Sequence, residues 1–140
     1  MIKNTIPGVE IGEHTGPAYK PLITSGGDWM AALMNGTKDS WSVPNIIEQH
    51  PDTDELFVLV SGRAFMIVAG NDSVPGVIVQ HEMKRNVLYN VKAGTWHINP
   101  MTEDATFVII EKTGTNVNGS RVVNLTAEQK KAIKIQGENP

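Results

Sequence analysis

Glu48-Gln49-His50-Pro51-Asp52-Thr53-Asp54-Glu55-Leu56-Phe57-Val58-Leu59-Val60-Ser61-Gly62-Arg63 sets a histidine and four carboxylates from Glu48 to Glu55 ahead of an apolar run that ends at a Ser-Gly turn. Side chains alternate between the two faces of a strand, so Glu48 and His50 share a face while Ile47 and Gln49 take the other. In the next strand the face that carries Glu55 also carries Phe57 and Leu59. If both faces are interior, a histidine and two carboxylates meet inside the fold. Gly94-Thr95-Trp96-His97 brings a second histidine to the start of another short apolar segment.

The apolar run argues for a particular class of fold. Leu56 to Val60 and Ala64 to Ala69 are apolar on successive residues, and strands of that kind need cover on both faces. With Ser61-Gly62 between them they read as a compact hairpin, glycine supplying the positive φ. One face would line a barrel interior. The other would pack on a further element, such as an N-terminal arm or a second subunit.

Working outward, residues 1 to 27 contain Pro7, Gly8, Gly12, Gly16, Pro17, Pro21, Gly26 and Gly27, which excludes a long helix and predicts an extended arm. His14 in this arm reads as a solvated loop histidine. Strands are expected at Trp29 to Met34, Asn45 to His50, Val77 to Met83, Val87 to Val91, Trp96 to Asn99 and Thr106 to Lys112. Residues 113 to 120 read as a loop. Thr126-Ala127-Glu128-Gln129 fits a capping box, predicting a helix from there to about Ile135 that stops at Gly137. Many short strands, Gly and Pro at the corners and one late helix describe an all-β barrel or sandwich.

Bulk composition narrows the function classes. The chain has 140 residues, 40% hydrophobic and 19% charged, a soluble globular balance long enough for one sizeable core. A net charge of -3 with scattered Lys and Arg argues against a nucleic-acid partner. No apolar run approaches the roughly 18 residues of a membrane span, so no membrane partner is expected. With no cysteine, thiolate ligands, cysteine nucleophiles and disulfides are all excluded. The amino terminus lacks the apolar core of a signal peptide, and a cytoplasmic location is the expectation. No Gly-rich phosphate loop is present, and Ser61 lacks the Gly-x-Ser-x-Gly setting of a nucleophile.

Imidazole and carboxylate oxygen suit iron(II), manganese, zinc or nickel. His50, then Glu55 after four residues and Gly62 after six more, resembles the first motif of the cupin superfamily, and Lys92-Ala93-Gly94-Thr95-Trp96-His97 resembles the second, normally Pro-x-Gly-x-x-His. The resemblance spans roughly residues 28 to 112. It implies a double-stranded β-helix, or jelly-roll barrel, often dimeric. Here that barrel would carry an extended N-terminal arm (1 to 27) and a C-terminal loop and helix (113 to 140). It also implies a divalent transition metal held by His50, Glu55 and His97. The family's first histidine is Glu48 here, its motif-two proline is Lys92, and the usual later asparagine falls near Met101. Glu48 makes the set more anionic and is a candidate fourth ligand or general base.

Two functions follow as expectations. One is a metal-dependent enzyme acting on a small polar metabolite (a sugar, hydroxy acid or keto acid) by isomerase, lyase or dioxygenase chemistry. The other is a metal-free cupin that binds a small ligand or serves as a dimeric module. His81 and Arg63 are expected at the surface, Trp96 in packing opposite His97, and Trp41 over the barrel mouth.

Overall fold

The computed structural model describes residues 6–115 and 119–136. In chain order the described elements are β1 (Ala18–Ser25), β2 (Trp29–Asn35), β3 (Ile46–Gln49), β4 (Glu55–Ser61), β5 (Phe65–Val68), β6 (Val79–Glu82), β7 (Leu88–Val91), β8 (His97–Ile98), β9 (Thr106–Lys112), β10 (Arg121–Asn124) and α1 (Ala127–Ala132). They form two five-stranded sheets, ordered β1-β2-β9-β4-β7 and β10-β3-β8-β5-β6. All the pairings are antiparallel. This is an all-β jelly-roll sandwich. No described helix is long and apolar enough to cross a membrane.

The strand expectations hold, and two strands are added at sheet edges. β1 comes from the N-terminal arm and β10 from the stretch after the 113 to 120 loop; neither has a strong apolar signature. Their partners recruit them. β1 pairs along the whole of β2, and β10 pairs along β3.

The expected hairpin at Ser61-Gly62 is not formed. β4 bonds to β7 and β9 in one sheet, whereas β5 bonds to β6 and β8 in the other. The turn is a corner between sheets. Packing explains why: Phe57 and Leu59 of β4 share a buried cluster with Ala64 and Met66, so the two runs face each other across the core. Gly62 adopts φ +71, and a Cβ there would lie 2.5 Å from the Cα of Ala105.

Each sheet buries its inner face in that cluster, joined by Phe107 and Ile109 of β9. A second cluster lies on the outer face of the β5 sheet, where Ile47, Ile67, Ala69 and Trp96 are covered by Leu125 and Ile133. The C-terminal segment, rather than the N-terminal arm, therefore supplies the missing cover for the Ala64 to Ala69 run.

The capping box forms as read: Gln129 N–H donates to Thr126 Oγ at 3.1 Å, and Thr126 N–H donates to Gln129 Oε1 at 2.9 Å. The helix ends earlier than expected, with Ile133 extended at φ -90 and ψ 123. Gln80 explains the early stop. Its side chain donates to the Lys134 carbonyl and accepts from the Lys134 N–H, each at 2.9 Å, which draws the tail flat against β6. Gly137, the expected stop, lies outside the described residues.

Candidate metal centre

The inward parity of three strands builds the site. Glu55 opens β4 on the buried face that also carries Phe57 and Leu59. Glu48 of β3 is paired in register with His97 of β8, and His50 follows β3 by two residues from Glu48, on the same face. The two motif loops are tied together through the backbone. Gly94 N–H donates to the His50 carbonyl at 2.9 Å, and Gln49 Nε2 donates to the Gly94 carbonyl at 2.8 Å. Asp54 adds a second tie, accepting from Ala93 N–H at 2.8 Å and from Asn90 Nδ2 at 3.0 Å.

One donor atom from each of Glu48, His50, Glu55 and His97 lies within 4.8 Å of the other three. His97 Nε2 is 3.0 Å from Glu55 Oε1 and 3.5 Å from Glu48 Oε1. His50 Nε2 is 3.4 Å from Glu55 Oε1 and 3.8 Å from Glu48 Oε1. Ligand atoms bound to one ion at about 2.1 Å lie about 3.0 to 3.4 Å apart in octahedral or tetrahedral arrangements. Three of these four separations fall within or close to that range.

Hydrogen bonds at the far side of each ring settle which nitrogen faces the site. His97 Nδ1 lies 3.0 Å from the Thr95 carbonyl, an acceptor only, so Nδ1 carries the proton. His50 Nδ1 lies 2.8 Å from Ser120 Oγ, whose own proton goes to the Thr115 carbonyl at 2.7 Å. Ser120 therefore accepts, and His50 Nδ1 also carries a proton. Both Nε2 lone pairs are thus turned toward carboxylate oxygens. The Nε2 of His50 is buried and makes no well-aligned hydrogen bond, with Glu55 Oε1 at 3.4 Å. Lone pair facing lone pair needs a cation between them, either a proton or a metal ion, and backbone or hydroxyl acceptors behind the rings are the usual outer support of metal-bound histidines. The donor set fits a divalent transition ion held by His50, Glu55 and His97, with Glu48 beside it.

The same opposition shows in the acid–base behaviour. Burial pushes both imidazoles down, but hydrogen bonding and charge from Glu55, with Glu48 behind it, outweigh burial and raise them. Burial pushes Glu55 up, yet its bonds with His50, His97 and Glu111 hold it far below the usual carboxylate range. Glu48 is raised, chiefly by burial. Glu111, paired with Glu55 across β4 and β9, is pushed up to about 8 by burial and by the neighbouring Glu55.

A cavity of about 490 Å³ opens beside Glu48 and Glu55, walled also by Tyr19, Phe57, Ile98, Asn99, Ser120 and Val122. Glu48, with 34% of its side chain exposed, is the most accessible of the four donors. Tyr19 reaches in from β1 and its hydroxyl donates to Glu111 Oε1 at 2.5 Å. Tyr19, Glu111, Asn99 and Ser120 are the site neighbours that reading the sequence missed. Inward parity could have found Glu111, after Phe107 and Ile109, and Asn99, two residues beyond His97. Nothing local marks Tyr19 or Ser120.

The remaining expectations sort cleanly. His81 is exposed and Trp96 is fully buried, its Nε1 donating to the Asp72 carbonyl at 2.8 Å. Arg63 is at the surface, paired with Glu82 at 2.7 Å and 5.0 Å from the centre of the Trp41 ring. Trp41 is not over the barrel mouth. It is buried and stacked on Phe65 at 5.3 Å, because the loop before β3 packs against β5. Met101 is buried in the core, and the asparagine at the cavity is Asn99.

No protein-family sequence model matches the chain. Ureidoglycolate lyase 2 of Rhizobium meliloti (strain 1021) is 24% identical over 113 residues, covering 76% of this chain and 63% of that protein, so the match spans less than two thirds of the relative. A structure of Streptomyces PAC13 with uridine superposes with a TM-score of 0.60 at 14% identity, covering 91% of this chain and 96% of the other. The DMSP lyase DddQ from Ruegeria pomeroyi DSS-3 superposes with a TM-score of 0.52 at 14% identity, covering 85% of this chain and 58% of the other. These neighbours are cupin structures, and with two antiparallel sheets that bring both motifs to one interior site, this chain has the cupin fold.

Proposed function

We propose that the protein is a divalent-metal-dependent enzyme acting on a small polar metabolite. His50, Glu55 and His97 hold the ion, and Glu48 is the general base. The observation that carries this reading is the pair of imidazole Nε2 lone pairs directed at Glu55 by fixed Nδ1 hydrogen bonds. Such an ion, when bound, polarises a substrate oxygen as a Lewis acid. Glu48 is the accessible carboxylate, its pKa raised chiefly by burial, and it lines the cavity where a substrate carbon would lie. A base with that setting removes a proton from the carbon next to the polarised oxygen. Proton removal of this kind begins both isomerisation and elimination, and the likeness to a lyase supports the second. Phe57, Ile98 and Ile109 give the cavity an apolar wall beside the two carboxylates.

The test is elemental analysis of protein purified without added metal, followed by titration with iron(II), manganese, nickel and zinc. About one equivalent per chain is expected. An ion at 100 times its Kd should stabilise the fold by about 2.7 kcal/mol. His97→Ala and His50→Ala should each weaken uptake at least about tenfold. A wild-type protein that takes up none of these ions sinks the proposal and leaves a metal-free small-ligand binder, the reading that Glu48 in the place of a histidine would favour.

A further inference from the structure

We infer that the cavity beside Glu48 selects an uncharged, polyhydroxylated molecule of sugar size over its carboxylate counterpart, and that Tyr19 contacts it directly. The inference deepens the proposed function and rests on it for the charge of the ion. The hydrogen-bonding character of the walls stands by itself.

Each polar group on the cavity wall has already committed its protons elsewhere. Tyr19 donates its hydroxyl proton to Glu111. Asn99 Nδ2 donates to the Phe65 carbonyl and to Met66 Sδ, each at 3.2 Å, which leaves its amide oxygen as the group available to a ligand. The Ser120 proton goes to the Thr115 carbonyl. Glu48 and Glu55 are acceptors when ionised. The walls therefore present oxygen lone pairs, and a ligand must bring the protons. Hydroxyl groups do so.

Charge points the same way. Among the described residues lining this cavity there is no lysine or arginine. Two carboxylates match the two positive charges of a divalent ion, so the loaded site has no net charge left to attract an anion. Away from the ion itself, a ligand carboxylate would lose its water and meet only acceptors and apolar side chains, a cost that discriminates against it. The volume of about 490 Å³ lies within the range of small-molecule sites. Tyr19 is placed for the contact by the pairing of β1 with β2, which aligns it with Met34 on the cavity wall.

The experiment uses matched pairs: neutral monosaccharides and alditols against the aldonic and uronic acids of the same carbon skeletons. Binding is measured by calorimetry on the manganese-loaded and the metal-free full-length chain. The best neutral member should bind at least about tenfold more tightly than its acid partner. Tyr19→Phe should weaken the neutral ligand about tenfold and leave the acid unchanged, shrinking the ratio, which a general loss of structure would not do. Val122→Lys, at an exposed edge-strand position on the cavity wall, should raise affinity for the acids. Acids that bind as well as their neutral partners, a panel with no neutral binder, or a Tyr19→Phe protein with an unaltered ratio would each overturn the inference. Metal content is read on the same samples. A chain that takes no metal but still prefers neutral ligands counts against the proposed function alone, whereas a loaded chain that prefers acids counts against this inference alone.

Discussion

Asp54 shows how one residue can serve the site without touching it. Its carboxylate accepts from the Ala93 N–H, from Asn90 and, at 3.4 Å, from Lys92, and so stitches the segment before β4 to the loop that leads to His97. Those bonds, the Ala93 N–H foremost, hold the carboxyl below its ordinary value of 3.8. A depressed folded value means that the contribution is complete above the unfolded value and is lost as the pH falls through the folded one. Asp54→Asn should therefore be less stable than wild type at pH 6, with the difference narrowing below about pH 4. Thermal unfolding at pH 6 and pH 3 measures it, and a difference that stays constant between the two would contradict the assignment. At this scale the sequence was legible where parity applies. Glu48, His50, Glu55 and His97 were all readable as ligand-type side chains, but the direction of each imidazole was not, because it depends on Ser120 and on the Thr95 carbonyl.

Among the elements, the corner at Gly62 is the most constrained. A methyl group there meets Ala105 backbone at 2.5 Å and the residue must also hold φ +71. Gly94, with φ +84, has nothing within 4 Å of the same position. Gly62→Ala should thus cost both the left-handed conformation and a displaced β9 approach, roughly 3 kcal/mol or more, whereas Gly94→Ala should cost about 1 to 2 kcal/mol. Urea denaturation compares the two, and equal losses would show that the close approach to Ala105 is relieved by movement. The glycine was legible as a turn. Its job as a corner between sheets was not, because local sequence reports that a chain must reverse but not which strand it will pair with afterward. The short helix makes a similar point. Thr126 and Gln129 marked its start, while its end was decided by Gln80 on a distant strand.

Over the whole molecule, an apolar sheet face stands without cover among the described residues. On the outer face of the β1-β2-β9-β4-β7 sheet, Leu33 pairs with Val108 and Val108 with Val58, while Ala31 pairs with Ile110 and Ile110 with Leu56. These residues are half-buried, and Leu88 beside them is 69% exposed. A continuous face of this kind suits self-association, where a stable interface removes about 800 Å² per partner. We expect a homodimer through this face, with a solution mass twice the 15.3 kDa of the chain. Light scattering at micromolar concentration tests it. Val108→Lys, central in the face, should halve that mass with little loss of the isolated fold, and a wild-type mass of one chain would dispose of the dimer.

Sequence alone determined the class of fold and the identity of the ligand-type residues. The fold follows from apolar runs too short for helices with glycines and prolines at the corners, and the residue set from strand parity and motif spacing, all of which act over a few residues. Only the tertiary structure decided that β4 and β5 belong to different sheets, that the C-terminal segment covers the outer core, and that Tyr19 reaches Glu111 at the site. These depend on contacts between segments up to 92 residues apart, as between Tyr19 and Glu111, and no local pattern encodes their register. Glu48 to Arg63 thus carried the chemistry in its residue types, and the packing of both sheets around it aimed that chemistry at one cavity.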